Sequence, residues 1–155
     1  MKILARDVGK ENDILVITRS GSLEGITAAW VAFTFLKTNH SEEKIKLIEV
    51  GPGDPTPDVK DKDTLMFGII FSKAIMLDMQ AKAHSLMVFE NGIESREIVS
   101  GLRFVNFDHR KTAGRLAYDF MRPHSLIGNW LPDFTEDAQR WPWPHYNPSR
   151  RKHRE

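Results

Sequence analysis

The chain has 155 residues, of which 41% are hydrophobic and 28% charged; its formal net charge is +1 and it has no cysteine. This length and composition indicate one globular domain, the small net charge argues against a global nucleic-acid-binding surface, and the lack of cysteine excludes disulfides and thiolate metal sites. No apolar run is long enough to span a membrane and no signal-peptide pattern opens the chain, so we expect a cytoplasmic protein without membrane partners.

The first predicted unit is a strand, a glycine-containing turn and a helix. Residues 14–17 are an apolar run typical of a buried strand, residues 18–22 are small and polar, and apolar residues then recur at helical spacing. A helix is therefore expected over about residues 23–37. Such a turn directs backbone N–H groups and the positive end of the helix dipole above the strand, where an anion can bind. The alternative is a tight connection without a ligand.

The rest of the chain alternates predicted strands and helices. Strands are expected at 46–50, 65–71, 86–89 and 102–107, and helices at 73–83, 93–99 and about 110–121, the last capped by Asp108. Residues 51–58 contain three prolines and form a loop. This order predicts a three-layer, Rossmann-like α/β fold with a mostly parallel sheet of about five strands. We expect one domain over residues 1–144 and a basic C-terminal tail over 145–155.

A second group of cationic and hydroxyl side chains opens the helix predicted from about residue 110. The carboxyl ends of parallel strands share one edge of a sheet, so this helix start and the first turn are expected to face each other across a crevice. The predicted anion site consists of Arg19, Ser20, Gly21, Ser22, Arg110, Lys111, Thr112 and Arg115. An internal salt bridge between Arg19 and Glu24 is the alternative for the first turn.

Aromatic residues mark the C-terminal region. Trp141, Trp143 and Tyr146 alternate with prolines and precede a run of basic residues. They could form a latch that closes the core, or a base-stacking platform for a nucleic acid that the basic tail follows. The latch is the favoured interpretation, and a nucleic-acid partner is not favoured.

Four segments resemble, in order, the motifs of the DHH phosphoesterases. TRSGSLEGITAAWVAF resembles the family's H-G-N-C-P-D-G-x-x-A-A-W motif, and LMFGIIFSKAIMLDMQAKAHSLMVFENG resembles the V-D-F-S-x-P strand and helix with the following strand that ends in Asp-His-His. FVNFDHRKTAGRLAYDFMRP resembles F-D-x-x-x-S-G-A-x-L-A-W-x-Y-x-x-P, and DAQRWPWP resembles D-x-D-L-W-x-W-x-x-P. The resemblance runs over about residues 14–144 and implies a DHH-like domain.

The resemblance also implies that the family's metal chemistry is lost. DHH enzymes hold two divalent cations, usually manganese, with Asp and His side chains, and these metals activate a water molecule. Position by position, the metal-binding residues of the family fall on Arg19, Ser22, Glu24, Ile70, Glu90, Asn91, Gly92, Asp137 and Gln139. Arginine cannot ligate a cation, and isoleucine and glycine offer no side-chain ligand. No metal site and no cofactor are therefore expected.

Three functions follow from these patterns. The leading one is a catalytically inactive DHH-like protein that binds a nucleotide or another phosphorylated small molecule without cleaving it; by analogy with compact relatives in phages, it could sequester a nucleotide signal. The second is an active phosphoesterase with a rebuilt site, in which the candidate catalytic residues are Glu24, Glu90, Asp108, His109 and Asp137. The third is an interaction or scaffold module. The oligomeric state is not predicted.

Overall fold

Five parallel strands form one sheet in the order β2-β1-β3-β4-β5. The computed structural model describes residues 12–122. The strands are β1 (Ile14–Arg19), β2 (Ile45–Val50), β3 (Asp63–Phe67), β4 (Ser85–Glu90) and β5 (Val105–Phe107). The helices are α1 (Leu23–Leu36), α2 (Lys73–Lys82), α3 (Arg96–Val99) and α4 (Ala113–Met121), with short 3-10 turns at Glu42–Lys44 and Ile93–Ser95.

Two hydrophobic cores cover the two faces of this sheet. Alternate residues of a strand point to opposite faces, so Ile14 and Val16 enter the core under α1 and α4, while Leu15 and Ile17 enter the core that contains Met76 of α2. The central strands β1 and β3 are buried on both faces, which explains their continuously apolar sequences. The predicted three-layer, Rossmann-like α/β fold with a parallel sheet is confirmed.

The first helix begins and ends close to its predicted positions. Ser22 is its N-cap, and the Ser22 hydroxyl accepts a hydrogen bond of 3.0 Å from the backbone N–H of Gly25. Because the cap satisfies one of the free N–H groups of the first turn, it defines where the helix begins.

Three predicted boundaries are wrong. The strand predicted over 65–71 ends at Phe67, because Gly68 takes a left-handed φ of +66° that a strand does not accommodate. The strand predicted over 102–107 pairs only over Val105–Phe107. Asp108 does not cap α4; its carboxylate accepts from the backbone N–H of Arg110 instead, and Thr112 is the N-cap.

Some sequence predictions lie outside the described residues. These are the boundary between residues 1–144 and 145–155, and the aromatic residues Trp141, Trp143 and Tyr146. Within residues 12–122, no helix has the length and apolar character needed to cross a membrane.

A buried carboxylate joins neighbouring strands at the amino edge of the sheet. Asp63 is 7% exposed, and its Oδ1 accepts hydrogen bonds from the Ser85 hydroxyl (2.5 Å) and from Nδ1 of His84 (2.8 Å). We expect Asp63→Ala to lower the free energy of unfolding by about 2 kcal/mol, because the partly exposed donors of Ser85 and His84 lose a charged, buried acceptor. Denaturant titration measures this. Asp78→Ala, which removes an exposed ion pair with Lys82, is the control and should cost at most about 0.5 kcal/mol; equal losses would contradict the prediction.

Candidate functional site

The topology selects one position on the carboxyl edge of the sheet. Neighbouring strands β1 and β3 lead to helices that cover opposite faces, because α1 packs in one core and α2 in the other. In open α/β sheets this reversal leaves a crevice outside the carboxyl ends of the two strands, and ligands bind there. The turn after β1 therefore lies at the position where this fold offers a binding site.

Arg19 ends β1 at this crevice with an exposed side chain. It forms no ion pair or hydrogen bond with another residue in the described part of the chain. In particular, Glu24 does not pair with it, so the alternative of an internal salt bridge between these two residues is not what the structure shows. A free guanidinium at a strand end can donate two parallel hydrogen bonds to phosphate or carboxylate oxygens.

The turn that follows is shaped for close approach of an anion. Ser20 is held by a hydrogen bond of 2.9 Å from its N–H to the carbonyl of Val50, and Gly21 takes a φ of +70°. A glycine adopts this left-handed conformation without steric cost. The backbone N–H groups of Gly21, Leu23 and Glu24 have no hydrogen-bond partner in the region that the structure covers. They are available at the positive end of the α1 dipole.

Glu24 joins the N-termini of α1 and α4 to the end of β4. Its Oε1 accepts hydrogen bonds from Asn91 Nδ2 (2.5 Å) and from the backbone N–H of Ala113 (2.7 Å). Asn91 Nδ2 also donates to the carbonyl of Lys111 at 3.0 Å. The Glu24 carboxylate thus occupies the N-terminus of α4, where the sequence predicted part of the anion site.

Glu90 is a buried carboxylate at the end of β4. It is 3% exposed, and its Oε1 accepts from the backbone N–H groups of Gly92 (2.7 Å) and Asn91 (2.9 Å). Its other oxygen, Oε2, is buried without a hydrogen-bond partner among residues 12–122. Burial raises the pKa of Glu90 above its ordinary value; the two N–H groups and the charge of Arg19 oppose this rise, and the charge of Glu94 adds to it.

The cationic turn before α4 is internally paired. Arg110 donates to both carboxylate oxygens of Asp108, at 3.0 and 3.2 Å, and this contact helps lower the pKa of Asp108 to about 2. His109 Nδ1 lies 3.4 Å from the Arg96 guanidinium rather than against Asp108. Asp108 and His109, two of the candidate catalytic residues, therefore do not pair with each other and have separate partners in Arg110 and Arg96.

The two remaining cations of the predicted site share one acid. Lys111 Nζ and Arg115 Nε each lie 2.9 Å from a carboxylate oxygen of Asp119, and the guanidinium of Arg115 also lies over the ring of Tyr118. Thr112 uses its hydroxyl to accept from the N–H of Arg115 at 3.2 Å. These three side chains stabilise the start of α4, so their charges and hydroxyl already have partners.

The structure thus brings the two predicted turns to one edge of the sheet but divides their roles. The turn of residues 19–22 follows β1 at the crevice, with the Ser22 hydroxyl used as the N-cap of α1, whereas the α4 start is engaged with Asp108, Asp119 and Glu24. Asp137 lies outside the described residues. Over residues 12–122, no group of three or more His, Asp or Glu side chains is placed to hold a metal ion.

Sequence reasoning missed two residues that organise this edge. Asn91 was considered only as a replaced metal-binding position of the DHH resemblance, although its amide contacts both Glu24 and Lys111. Asp119 was not considered, although its i,i+4 spacing from Arg115 is the usual signal for a helical ion pair. No sequence signal pointed to Asn91, because its partners are distant along the chain.

Comparisons with known proteins inform the fold and not the function. No family model matches this chain, and no curated protein matches it. The crystal structure of an uncharacterized protein from Helicobacter pylori G27 is similar over 82% of this chain, with a TM-score of 0.57 and 12% sequence identity. The match covers 40% of the length of that protein. At this identity the likeness supports the α/β fold alone.

Proposed function

We propose that this chain is a degenerate relative of the DHH phosphoesterases that binds a nucleotide or another phosphorylated small molecule without metal-dependent cleavage. The observation that carries the proposal is the exposed guanidinium of Arg19, which lies beside the β1–β3 crevice and forms no hydrogen bond or ion pair within residues 12–122, although its charge acts on the buried Glu90 carboxylate. The free N–H groups of Gly21, Leu23 and Glu24 lie in the same turn and would add hydrogen bonds to phosphate oxygens.

The donor set at this edge does not fit the metal pair of the DHH family. At the corresponding positions, Arg19 carries a permanent positive charge, while Ile70 and Gly92 have no ligand atom. The two remaining acids that the structure describes are used internally, because Glu24 accepts from Asn91 and Ala113, and Glu90 accepts from the N–H groups that follow it. Hydrogen bonds therefore join the segments that metal ions would bridge in a DHH enzyme. This favours binding of a phosphorylated ligand over its metal-dependent hydrolysis.

Isothermal titration with a panel of mono-, di- and cyclic nucleotides and inorganic phosphate tests this function. We expect Arg19→Ala to weaken binding of the responding ligand about 10- to 100-fold, since a charge-assisted hydrogen bond contributes about 1.5–3 kcal/mol. Melting temperature should change little, because Arg19 is exposed, forms no hydrogen bond or ion pair within residues 12–122 and acts on Glu90 only through its charge. EDTA should not reduce the affinity.

Arg103→Ala is the matched control for this experiment. Arg103 is exposed and precedes β5, so it lies toward the opposite edge of the sheet. Its replacement should leave nucleotide affinity unchanged. No binding by the unaltered protein, or equal losses in the two variants, would overturn the proposed site. A large drop in melting temperature for Arg19→Ala with unchanged affinity would assign Arg19 a structural role instead.

A further inference from the structure

An apolar groove lies between α1 and the edge strand β2, on the side of α1 away from the sheet centre. Its volume is about 460 Å³. Two large apolar side chains at the groove are about half exposed: Ile26 of α1 at 49% and Leu47 of β2 at 54%. The groove is lined by Val16, Thr18, Ile26, Ala29, Trp30, Phe33, Leu47, Ile48 and Glu49.

The position of the groove follows from the order of the strands. β2 is an edge strand, and Leu47 pairs in register with Val16 of β1 on the face that α1 covers. Helix α4 packs against α1 on the same face of the sheet. Because α4 follows β5, at the opposite edge of the sheet, it reaches α1 from the β3 side and leaves the β2 side open within residues 12–122.

The segment after α4 contains large apolar side chains, and their exposure to water is unfavourable. Segments that stay unfolded are poor in aromatic residues, whereas this one is rich in them. The segment contains three tryptophans, and the fourth tryptophan of the chain is Trp30 in the groove. The large apolar residues over 130–146 are Trp130, Leu131, Phe134, Trp141, Trp143 and Tyr146.

The length of chain after α4 allows this segment to reach the groove, and the tail that follows the segment is basic. Trp130 follows Arg122 by eight residues, a length of chain that extends about 26 Å, whereas a helix such as α1 is about 10 Å across. Glu49 lines the groove, and exposed acidic residues at 42 and 43 precede β2. The segment itself carries three acidic residues and one arginine, so the charge complementary to these glutamates comes from the basic residues 150–154 that follow it.

We infer that the groove between α1 and β2 is the docking site of the aromatic segment over residues 130–146 of the same chain. The tryptophan side chains of the segment pack against Ile26 and Leu47, and the basic residues lie toward Glu49. The covered groove protects the edge of β2, since an exposed apolar edge strand is otherwise prone to pair with another chain. This docking is independent of the proposed ligand site at the carboxyl edge.

The absence of cysteine from the chain permits a direct test by site-specific labelling. A bimane label, which tryptophan quenches on contact, is attached to L47C in the groove or to L77C on α2, in a Trp30→Phe background because Trp30 itself lines the groove. Leu77 is similarly exposed, at 47%, but lies on the other side of the sheet. Each labelled protein is compared with a version that also carries Trp130→Phe, Trp141→Phe and Trp143→Phe.

We expect the tryptophan replacements to relieve quenching of the label on L47C, at every protein concentration, and to leave the label on L77C unchanged. Unchanged quenching at L47C would overturn the inference, because the groove would then be open or covered by another part of the chain. Relief of quenching on dilution alone would also overturn it, because a second copy would then supply the tryptophans.

A second measurement leaves Leu47 in place. In a Trp30→Phe background, fluorescence comes only from Trp130, Trp141 and Trp143. We expect Ile26→Glu, which places a charge in the groove, to shift this emission to longer wavelength, whereas Leu77→Glu leaves it unchanged. Equal emission maxima in the two variants would contradict docking at this groove.

Discussion

Replacement of Glu24 by alanine is expected to lower the free energy of unfolding by about 3 kcal/mol, since two donors lose a charged acceptor. These donors are Asn91 Nδ2 and the backbone N–H of Ala113, which come from two separate segments at the carboxyl edge. The carboxylate also lies at the N-terminus of α4, where negative charge is favourable. Urea titration measures the change.

Two further variants separate the contributions to this effect. Glu24→Gln keeps an oxygen that accepts hydrogen bonds but removes the charge, and should cost about 1 kcal/mol. Glu42→Ala removes an exposed glutamate in a 3-10 turn and should change stability by less than about 0.5 kcal/mol.

The stability of Glu24→Ala also discriminates between a ligand-binding protein and a rebuilt phosphoesterase, because these two functions assign Glu24 different roles. In a rebuilt phosphoesterase, Glu24 would await a cation, and its loss would relieve repulsion among carboxylates in the metal-free protein. Glu24→Ala would then keep or raise stability. A loss near the expected size instead supports a carboxylate committed to holding α1, β4 and α4 together.

Glu90→Gln is expected to raise stability at neutral pH and to remove one component of its pH dependence. The carboxylate is buried, one of its oxygens has no described partner, and its pKa is raised mainly by burial. An unsatisfied buried polar atom costs about 1–3 kcal/mol, and loss of the charge removes the larger part of that cost. The amide oxygen of glutamine can still accept from the N–H groups of Asn91 and Gly92.

The direction of the pH dependence follows from the raised pKa. The proton on Glu90 contributes stability that is fully present below the unfolded-state pKa, near 4.5, and that is lost as pH rises through the higher pKa of the folded protein. The stability of Glu90→Gln minus that of the unaltered protein should therefore increase from about pH 4.5 upward and then level off. The height of this plateau measures how far folding raises the pKa, since a tenfold change in proton affinity corresponds to about 1.4 kcal/mol. A difference that is flat or falls with pH would contradict the prediction.

Asp108 supplies an internal control for this profile. Its pKa is lowered to about 2, mainly by the hydrogen bond from the Arg110 side chain, so its contribution is present above the unfolded-state pKa of 3.8 and is lost as pH falls toward 2. Asp108→Asn should therefore lower stability at neutral pH and have little effect in acid, so its stability difference falls with rising pH, whereas that of Glu90→Gln rises.

The sequence by itself determined the layout of the fold and one turn of the site. The apolar runs in β1 and β3 are continuous because both faces of these strands are buried. The start of α1 directly after Ser22 was predicted, because a cap and the change to helical spacing are local in the sequence. The same strand-turn-helix pattern predicted Arg19 next to the first strand, although β1 extends through Arg19 and Ser22 serves as the N-cap.

Only the tertiary structure decided which charged groups remain available. Glu24 meets its partners across 67 and 89 residues of chain, and Lys111 and Arg115 both pair with Asp119 instead of facing an open crevice. The i,i+4 spacing of Arg115 and Asp119 could have indicated their pair, whereas the partners of Glu24 depend on distances that strand order and helix packing set, so residue type and spacing could not identify them. Burial of Glu90 arises in the same way, because a strand end is exposed or covered according to what packs over it.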